Sequence, residues 1–328
     1  MQDYAAPWFR ARRQQGVDDT IYYGMIAPSS GQRYVFSVPH EQCDGVGAFM
    51  RLLRCSGVHD WQGITGKPAT IPGFFSCLRT RPNHPPVQAP NWRRRAMAPV
   101  DAADQLIALE PFSVEQTTQL RSAAKAASVS LNSLLLAAFH NVIAEQLLLE
   151  GGGSWFVPVS LRGALQLPSD EMNHASGIYL SLPALAQKED IQSQLSQGLR
   201  RNEHWWLWHQ ARLVATLGGQ WLVGRLLPLL QQRHYLGSFS SMGEWNIDWS
   251  DSLYPQELLM WGVPPGSPSY PVSACWLICN GQLVLSLKLN AVLGLGSERC
   301  RSLLRDWCRA LTKPLSEQDE YQEESEHG

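Results

Sequence analysis

The sequence predicts an α/β protein (α+β), with mixed β-sheets flanked by helices and two sub-domains. Three observations carry this prediction. β-patterned runs alternate along the chain with runs of helical apolar spacing. The length, 328 residues, is enough for a sizeable core and two sub-domains. Residues 56–105 lack periodicity and are rich in Pro and Gly, which makes them the best place for a boundary or crossover.

Composition narrows the class. Hydrophobic residues make up 44% and charged residues 17%, the balance of a globular chain. A net charge of −2 gives no global attraction to nucleic acid or to an anionic membrane. The seven cysteines are scattered and form no C-x-x-C pair, so neither a disulfide framework nor a zinc ribbon is indicated, and no metal site is expected. The N-terminus shows no signal peptide, and no apolar run has the length of a membrane span. A reducing, cytoplasmic location is therefore expected.

In chain order, residues 1–20 are polar and mixed, anchored only by Trp8 and Phe9. Two β-rich runs, 21–27 and 33–38, flank a Pro/Ser/Gly turn and read as a hairpin. A short helix follows over 48–54. Within the irregular stretch, Arg93-Arg94-Arg95 reads as a solvated charge cluster, with a phosphate or coenzyme contact as the alternative. A strand at 106–109 precedes Ser113-Val114-Glu115-Gln116, a capping box that starts a helix running to about Ala127. Residues 132–143 are apolar nearly all round, the pattern of a buried helix in which His140 is a packing residue. Strands are expected at 155–161 and 178–182, and helix over 187–233, broken near Gly218-Gly219. Its Trp205-Trp206-Leu207-Trp208 cluster reads as packing against a sheet, with an acyl chain or membrane surface as the alternative. Residues 239–244 end a strand at a glycine. Asn280-Gly281 between apolar runs at 272–279 and 282–289 is a strong hairpin signal, with Cys275 and Cys279 on one packed face. A last helix over 298–311 leads into an acidic tail expected to be disordered.

The stretch with a chemical use is Val38-Pro39-His40-Glu41-Gln42-Cys43-Asp44-Gly45-Val46-Gly47, at a strand-to-helix corner. A histidine held at such a corner can project into a cleft as a general base. A carboxylate four residues on can fix the corner if it finds an arginine. The chain has no G-x-S-x-G elbow, P-loop, H-E-x-x-H or dinucleotide fingerprint.

His40-x-x-x-Asp44-Gly45 resembles the second half of the H-H-x-x-x-D-G signature of the coenzyme-A-dependent acyltransferase superfamily. That superfamily includes chloramphenicol acetyltransferase, wax ester synthases and the condensation domains of peptide synthetases. Further segments resemble it in order: Val157-Pro158-Val159-Ser160-Leu161-Arg162, Asn173 followed by Leu180-Ser181-Leu182-Pro183, and Ser240-Ser241-Met242-Gly243. The resemblance covers roughly residues 20–312 and is closest to stand-alone condensation-like and wax-ester-type members.

The resemblance implies two chloramphenicol-acetyltransferase-like sub-domains with the histidine in a tunnel between them. The partition is 1–105 for a partial N-terminal lobe with its Pro-rich crossover, 106–312 for the C-terminal lobe, and 313–328 for the acidic tail. The N-terminal lobe is expected to be incomplete, because members place the histidine after a longer leading segment. The implied activity is acyl transfer from a thioester, acyl-coenzyme A or acyl-phosphopantetheine, to a hydroxyl or amine of a small-molecule or lipid-like acceptor, as in secondary metabolism. No permanently bound cofactor is implied. A carrier protein, or a partner supplying the rest of the lobe, are the implied macromolecular candidates. His40 is the implied base. Asp44, Gly45 and Arg162 hold the corner, and Ser240, Ser241, Gly243 and Asn173 are the substrate or oxyanion candidates. Pro39 and Ser241 depart from the family pattern. A non-catalytic binding or scaffold relative, or an inactive fragment, is the alternative.

Overall fold

The computed structural model describes residues 4–66, 68–80, 89–93, 106–231, 234–254 and 257–326. The chain opens with α1 (Ala5–Gln14), where a polar connection was expected. The hairpin follows as β1 (Thr20–Ile26) and β2 (Arg33–Pro39), in register from Thr20↔Pro39 to Ile26↔Arg33. Next come α2 (Gly45–Cys55), β3 (Trp61–Gln62), α3 (Phe74–Thr80) and β4 (Asn91–Trp92). Arg93 is bound into this structure, its Nε donating to the Leu148 carbonyl at 2.6 Å, while Arg94 and Arg95 lie outside the described residues.

β5 (Ile107–Pro111) leads into α4 (Val114–Ala126), started by the expected capping box. The Ser113 hydroxyl accepts from the Gln116 amide, and the Gln116 side chain accepts from the Ser113 amide. α5 (Leu131–Leu147) is the expected buried helix. His140 on it is neutral: its Nδ1 accepts from Trp155 Nε1, so its Nε2–H donates to the Pro183 carbonyl at 2.6 Å. Burial lowers its pKa from 6.5. Then follow β6 (Leu148–Glu150), β7 (Gly153–Ser160), β8 (Ala175–Leu182), α6 (Lys188–Arg200) and α7 (Glu203–Gln231), the last bent at Gly219, which stands at φ 52°. Trp205 and Trp208 are buried against Leu161 and Leu165, as packing residues.

The chain closes with β9 (Gly237–Ile247), β10 (Leu259–Val263), β11 (Val272–Cys279), β12 (Gln282–Leu289) and α8 (Ser297–Glu326). The β11–β12 turn places Asn280 at φ 48° and Gly281 at φ 80°, the left-handed pair that a two-residue hairpin loop requires. α8 continues past Leu311 through the acidic run, whose Glu and Gln residues favour helix.

The main sheet runs β5-β12-β11-β9-β7-β8, with β3 pairing β9 at its end. It is mixed: β9 is parallel to β11 and to β7, and the other pairs are antiparallel. β11 is buried on both faces. Ala274, Trp276 and Ile278 face the core under α4, α5 and α8. Cys275, Leu277 and Cys279 face a second core, shared with α2 and a three-stranded sheet, β10-β1-β2. Burial raises both of those cysteine thiols, Cys279 to about 11. β10 thus joins strands from the first forty residues to the later part of the chain, and the corner after β2 meets the end of the main sheet.

Candidate active site

The corner begins where β2 ends. The His40 amide donates to the Asp19 carbonyl at 2.9 Å, closing the ladder one residue past Pro39. Asp44 is the N-cap of α2. Its Oδ1 accepts from the Gly47 amide at 2.8 Å, satisfying one of the orphan donors of the first turn.

The expected Asp44–Arg162 pair is present and buried. Nη1 donates to Oδ2 at 2.8 Å and Nη2 to Oδ1 at 2.7 Å, a two-bond fork. Asp44 Oδ2 also accepts from the His174 amide at 3.0 Å, and Arg162 Nη2 donates to the Asp170 carbonyl at 2.8 Å. The carboxylate therefore draws α2, the end of β7 and the loop before β8 to one point. That loop is also tied to the exposed side of α2, where Glu171 takes Arg51 at 3.1 Å and Arg54 at 2.6 Å.

Close approach sets the glycine requirement. A Cβ on Gly47 would stand 2.1 Å from the Glu171 carbonyl oxygen, a backbone atom next to the Asp170 carbonyl that Arg162 binds. At Gly45 the neighbour is the flexible end of Met242, at 2.8 Å. Gly47 is thus the stricter position, although Gly45 is the one in the motif.

Asn173 sits against the histidine itself. Its Nδ2 donates to the His40 carbonyl at 2.9 Å, which turns its Oδ1 toward His40 Nδ1, also at 2.9 Å. An amide oxygen only accepts, so Nδ1 carries the proton and Nε2 keeps its lone pair. Among the described residues His40 Nε2 has no hydrogen-bond partner. Burial lowers the His40 pKa from 6.5, against smaller opposing contributions from Asp19 and Asp44, so the ring is neutral near pH 7.

His40, Asp44 and Gly45 line a mostly apolar cavity of about 100 Å³. Ser240 and Ser241 from β9, Ser160 from β7 and Tyr23 from β1 are its hydroxyl-bearing lining residues, and Arg162 and Met242 line it too. Gly243 does not line it. At φ 70° it turns β9 away, and its free side faces Ile64. Asn173 also stands outside this cavity, behind the imidazole, so its geometry is that of a clamp on His40.

One contact had no counterpart in the motif analysis. The Phe9 ring stacks on His40 at 3.9 Å between centroids and 12° between planes. α1 is held there by Trp8 Nε1, which donates to the Ala211 carbonyl at 3.0 Å, and by the Arg12–Asp19 fork. Phe9 separates His40 from two further clefts, of about 230 Å³ and 610 Å³, which it lines between α1 and α7. The signal available in sequence was the Trp8-Phe9 pair in an otherwise polar segment.

No protein-family model matches the chain, and no curated protein matches it in sequence. Solved structures do. The first condensation domain of the CDA synthetase is similar at 14% identity and a TM-score of 0.50, over 94% of this chain and 70% of that one. The EpoB NRPS cyclization-docking bidomain from Sorangium cellulosum is similar at 11% identity and a TM-score of 0.50, over 85% of this chain and 59% of that one. The wax ester synthase/diacylglycerol acyltransferase from Marinobacter aquaeolei VT8 is similar at 16% identity and a TM-score of 0.48, over 86% and 67%. The chain has the fold of condensation-type domains, the chloramphenicol-acetyltransferase-like fold that the motif resemblance implies.

Two outcomes follow from this geometry. Asp44→Ala leaves Arg162 charged and unpaired in the interior, and costs about 3–5 kcal/mol in denaturant unfolding. His40→Ala costs much less, and equal losses would contradict the fork as the joint of the site. Phe9→Ala uncovers the imidazole, so diethyl pyrocarbonate modifies His40 several-fold faster, measured by peptide mass spectrometry. An unchanged rate would mean that Phe9 does not shield it.

Proposed function

We propose that this protein is an acyltransferase that moves an acyl group from a thioester to a hydroxyl or amine, with His40 as general base. The observation that carries this reading is the orientation of His40. Asn173 holds the proton on Nδ1, and Nε2 is left as an unpartnered base at a cavity that also presents serine hydroxyls.

In the proposed reaction Nε2 takes the proton from the acceptor O–H or N–H as that atom attacks the thioester carbonyl carbon. The carbonyl π electrons move onto oxygen, and Ser240 and Ser241, which line the cavity, are the candidates to donate to that oxyanion. Collapse of the intermediate breaks the C–S bond. The proton on Nε2 goes to the departing thiolate, which leaves as a free thiol. His40 is neutral at both ends of the cycle. Asn173 positions the ring throughout, and Asp44 holds the corner without touching substrate. Acyl-coenzyme A and an acyl-phosphopantetheine on a carrier protein are the two donor classes with the required thioester.

The stacked Phe9 favours a second reading, a relative of the same fold that binds a ligand without turning it over, since the ring closes one side of the imidazole.

Thiol release from a panel of acyl-coenzyme A donors with alcohol and amine acceptors separates the two readings. Acyl transfer predicts turnover that His40→Ala lowers by about 10²–10⁴-fold. Because burial lowers the His40 pKa, the base stays deprotonated as pH falls past 6.5, and the rate declines only below that value. Donor binding without thiol release, at any pH, would support the binding reading instead.

A further inference from the structure

The second half of α7 presents an unusual surface. Leu213, Leu217 and Trp221 follow one another at four-residue spacing across the bend, and Leu217 and Trp221 are 73% and 68% exposed. Leu229, further along, is 61% exposed. The spacing does not place Leu217 and Trp221 on one helical face, since Gly219 between them is non-helical, but large exposed apolar side chains gathered on both sides of one bend are more than scattered exposure.

After Glu203, the charge carried by α7 and by α1 has one sign. The sequence has no Asp or Glu from His204 to Gln231, and none in α1, which packs on α7 through Trp8 and through Gln15 Nε2 donating to the Gly224 carbonyl. The two segments carry Arg10, Arg12, Arg13, Arg212 and Arg225. Arg12 and Arg13 are paired with Asp19 and Glu41. Among the described residues Arg10, Arg212 and Arg225 have no carboxylate partner, and the Arg225 guanidinium lies 5.3 Å over the Trp221 ring. The cleft of about 610 Å³ between α1 and α7 reaches the surface beside Leu229, which both lines it and is exposed.

We propose that this face of α1 and α7 docks on an anionic lipid surface, with Leu217 and Trp221 at the bend entering the headgroup layer. Exposed tryptophan and leucine at a helix bend, flanked by arginine and free of carboxylates, have the chemistry of an interfacial helix. The arginines add attraction to acidic headgroups. An apolar cleft that reaches the surface beside Leu229 suits hydrocarbon chains better than it suits a flat protein partner. A second copy of the chain fits less well, since two such faces bring arginine toward arginine with no acidic group between them. The chain's overall charge of −2 does not bear on a face whose own charge is positive. This inference is independent of whether His40 transfers acyl groups.

The test is co-sedimentation of the full chain with vesicles of phosphatidylglycerol and phosphatidylcholine, or of phosphatidylcholine alone, at low and high salt. Binding to the mixed vesicles, weakened by salt, is expected. Trp221→Glu and Leu217→Glu should each lower it on the order of tenfold, and Arg225→Glu should lower it and flatten the salt dependence. Leu253→Glu, at an equally exposed leucine elsewhere, should bind as the unmodified chain does. Circular dichroism confirms that each variant is folded. No binding to mixed vesicles at low salt, equal binding to both vesicle types, or undiminished binding by Trp221→Glu would each overturn the proposal. So would a dimer seen by light scattering that Trp221→Glu dissolves in the absence of any vesicle binding.

Discussion

The site depends on one buried ion pair. Asp44 and Arg162 are 118 residues apart in sequence and meet in a two-bond fork at 2.7 and 2.8 Å. Desolvating two charges offsets much of their attraction, so the pair is better understood as a registration device than as a source of net stability. Every other lone pair and proton of the fork that has a partner uses it to recruit backbone: Gly47 at the start of α2, His174 and Asp170 in the loop before β8. Asn173 lies between the last two, and so is carried to His40 by the same loop. The histidine's tautomer is therefore set at one remove by the carboxylate four residues away.

The same burial that makes the ion pair costly makes the histidine useful. His40 is half-buried, desolvation lowers its pKa, and it is neutral with one nitrogen occupied. A neutral imidazole with a free Nε2 beside serine hydroxyls is suited to proton removal from a weakly acidic nucleophile. Phe9 is the counterweight. It completes the burial of the ring and closes the side that faces the clefts under α1 and α7. One face of the imidazole is thus covered by an aromatic ring carried by the N-terminal helix.

Local chemistry made much of this readable in the sequence. The capping box at Ser113, the Asn280-Gly281 turn and the apolar run of α5 are decided within a few residues, and each stands where the pattern put it. The two ends of the fork, Asp44 and Arg162, were named by the resemblance of the His40–Asp44 corner and of the Val157–Arg162 strand to the acyltransferase signature. Features decided by distant segments were not readable. Gly47 is constrained by the carbonyl of Glu171, and Asn173 serves His40 rather than the cavity, because a loop more than a hundred residues away is folded against the corner. Gly243 was a site candidate by position in a motif, but its positive φ turns it toward Ile64. α1 was missed because its helix is short, its charges are three arginines in a stretch with few large apolar residues, and its anchors, Ala211 and Asp19, lie outside it.

The central claim is that His40 is a neutral base protonated on Nδ1. Nitrogen-15 spectra of the histidine side chains near pH 7, with His40 assigned from a His40→Gln variant, test it most directly. The account predicts a protonated Nδ1 and an unprotonated Nε2 for His40. A proton on Nε2, or an imidazolium at that pH, would contradict it.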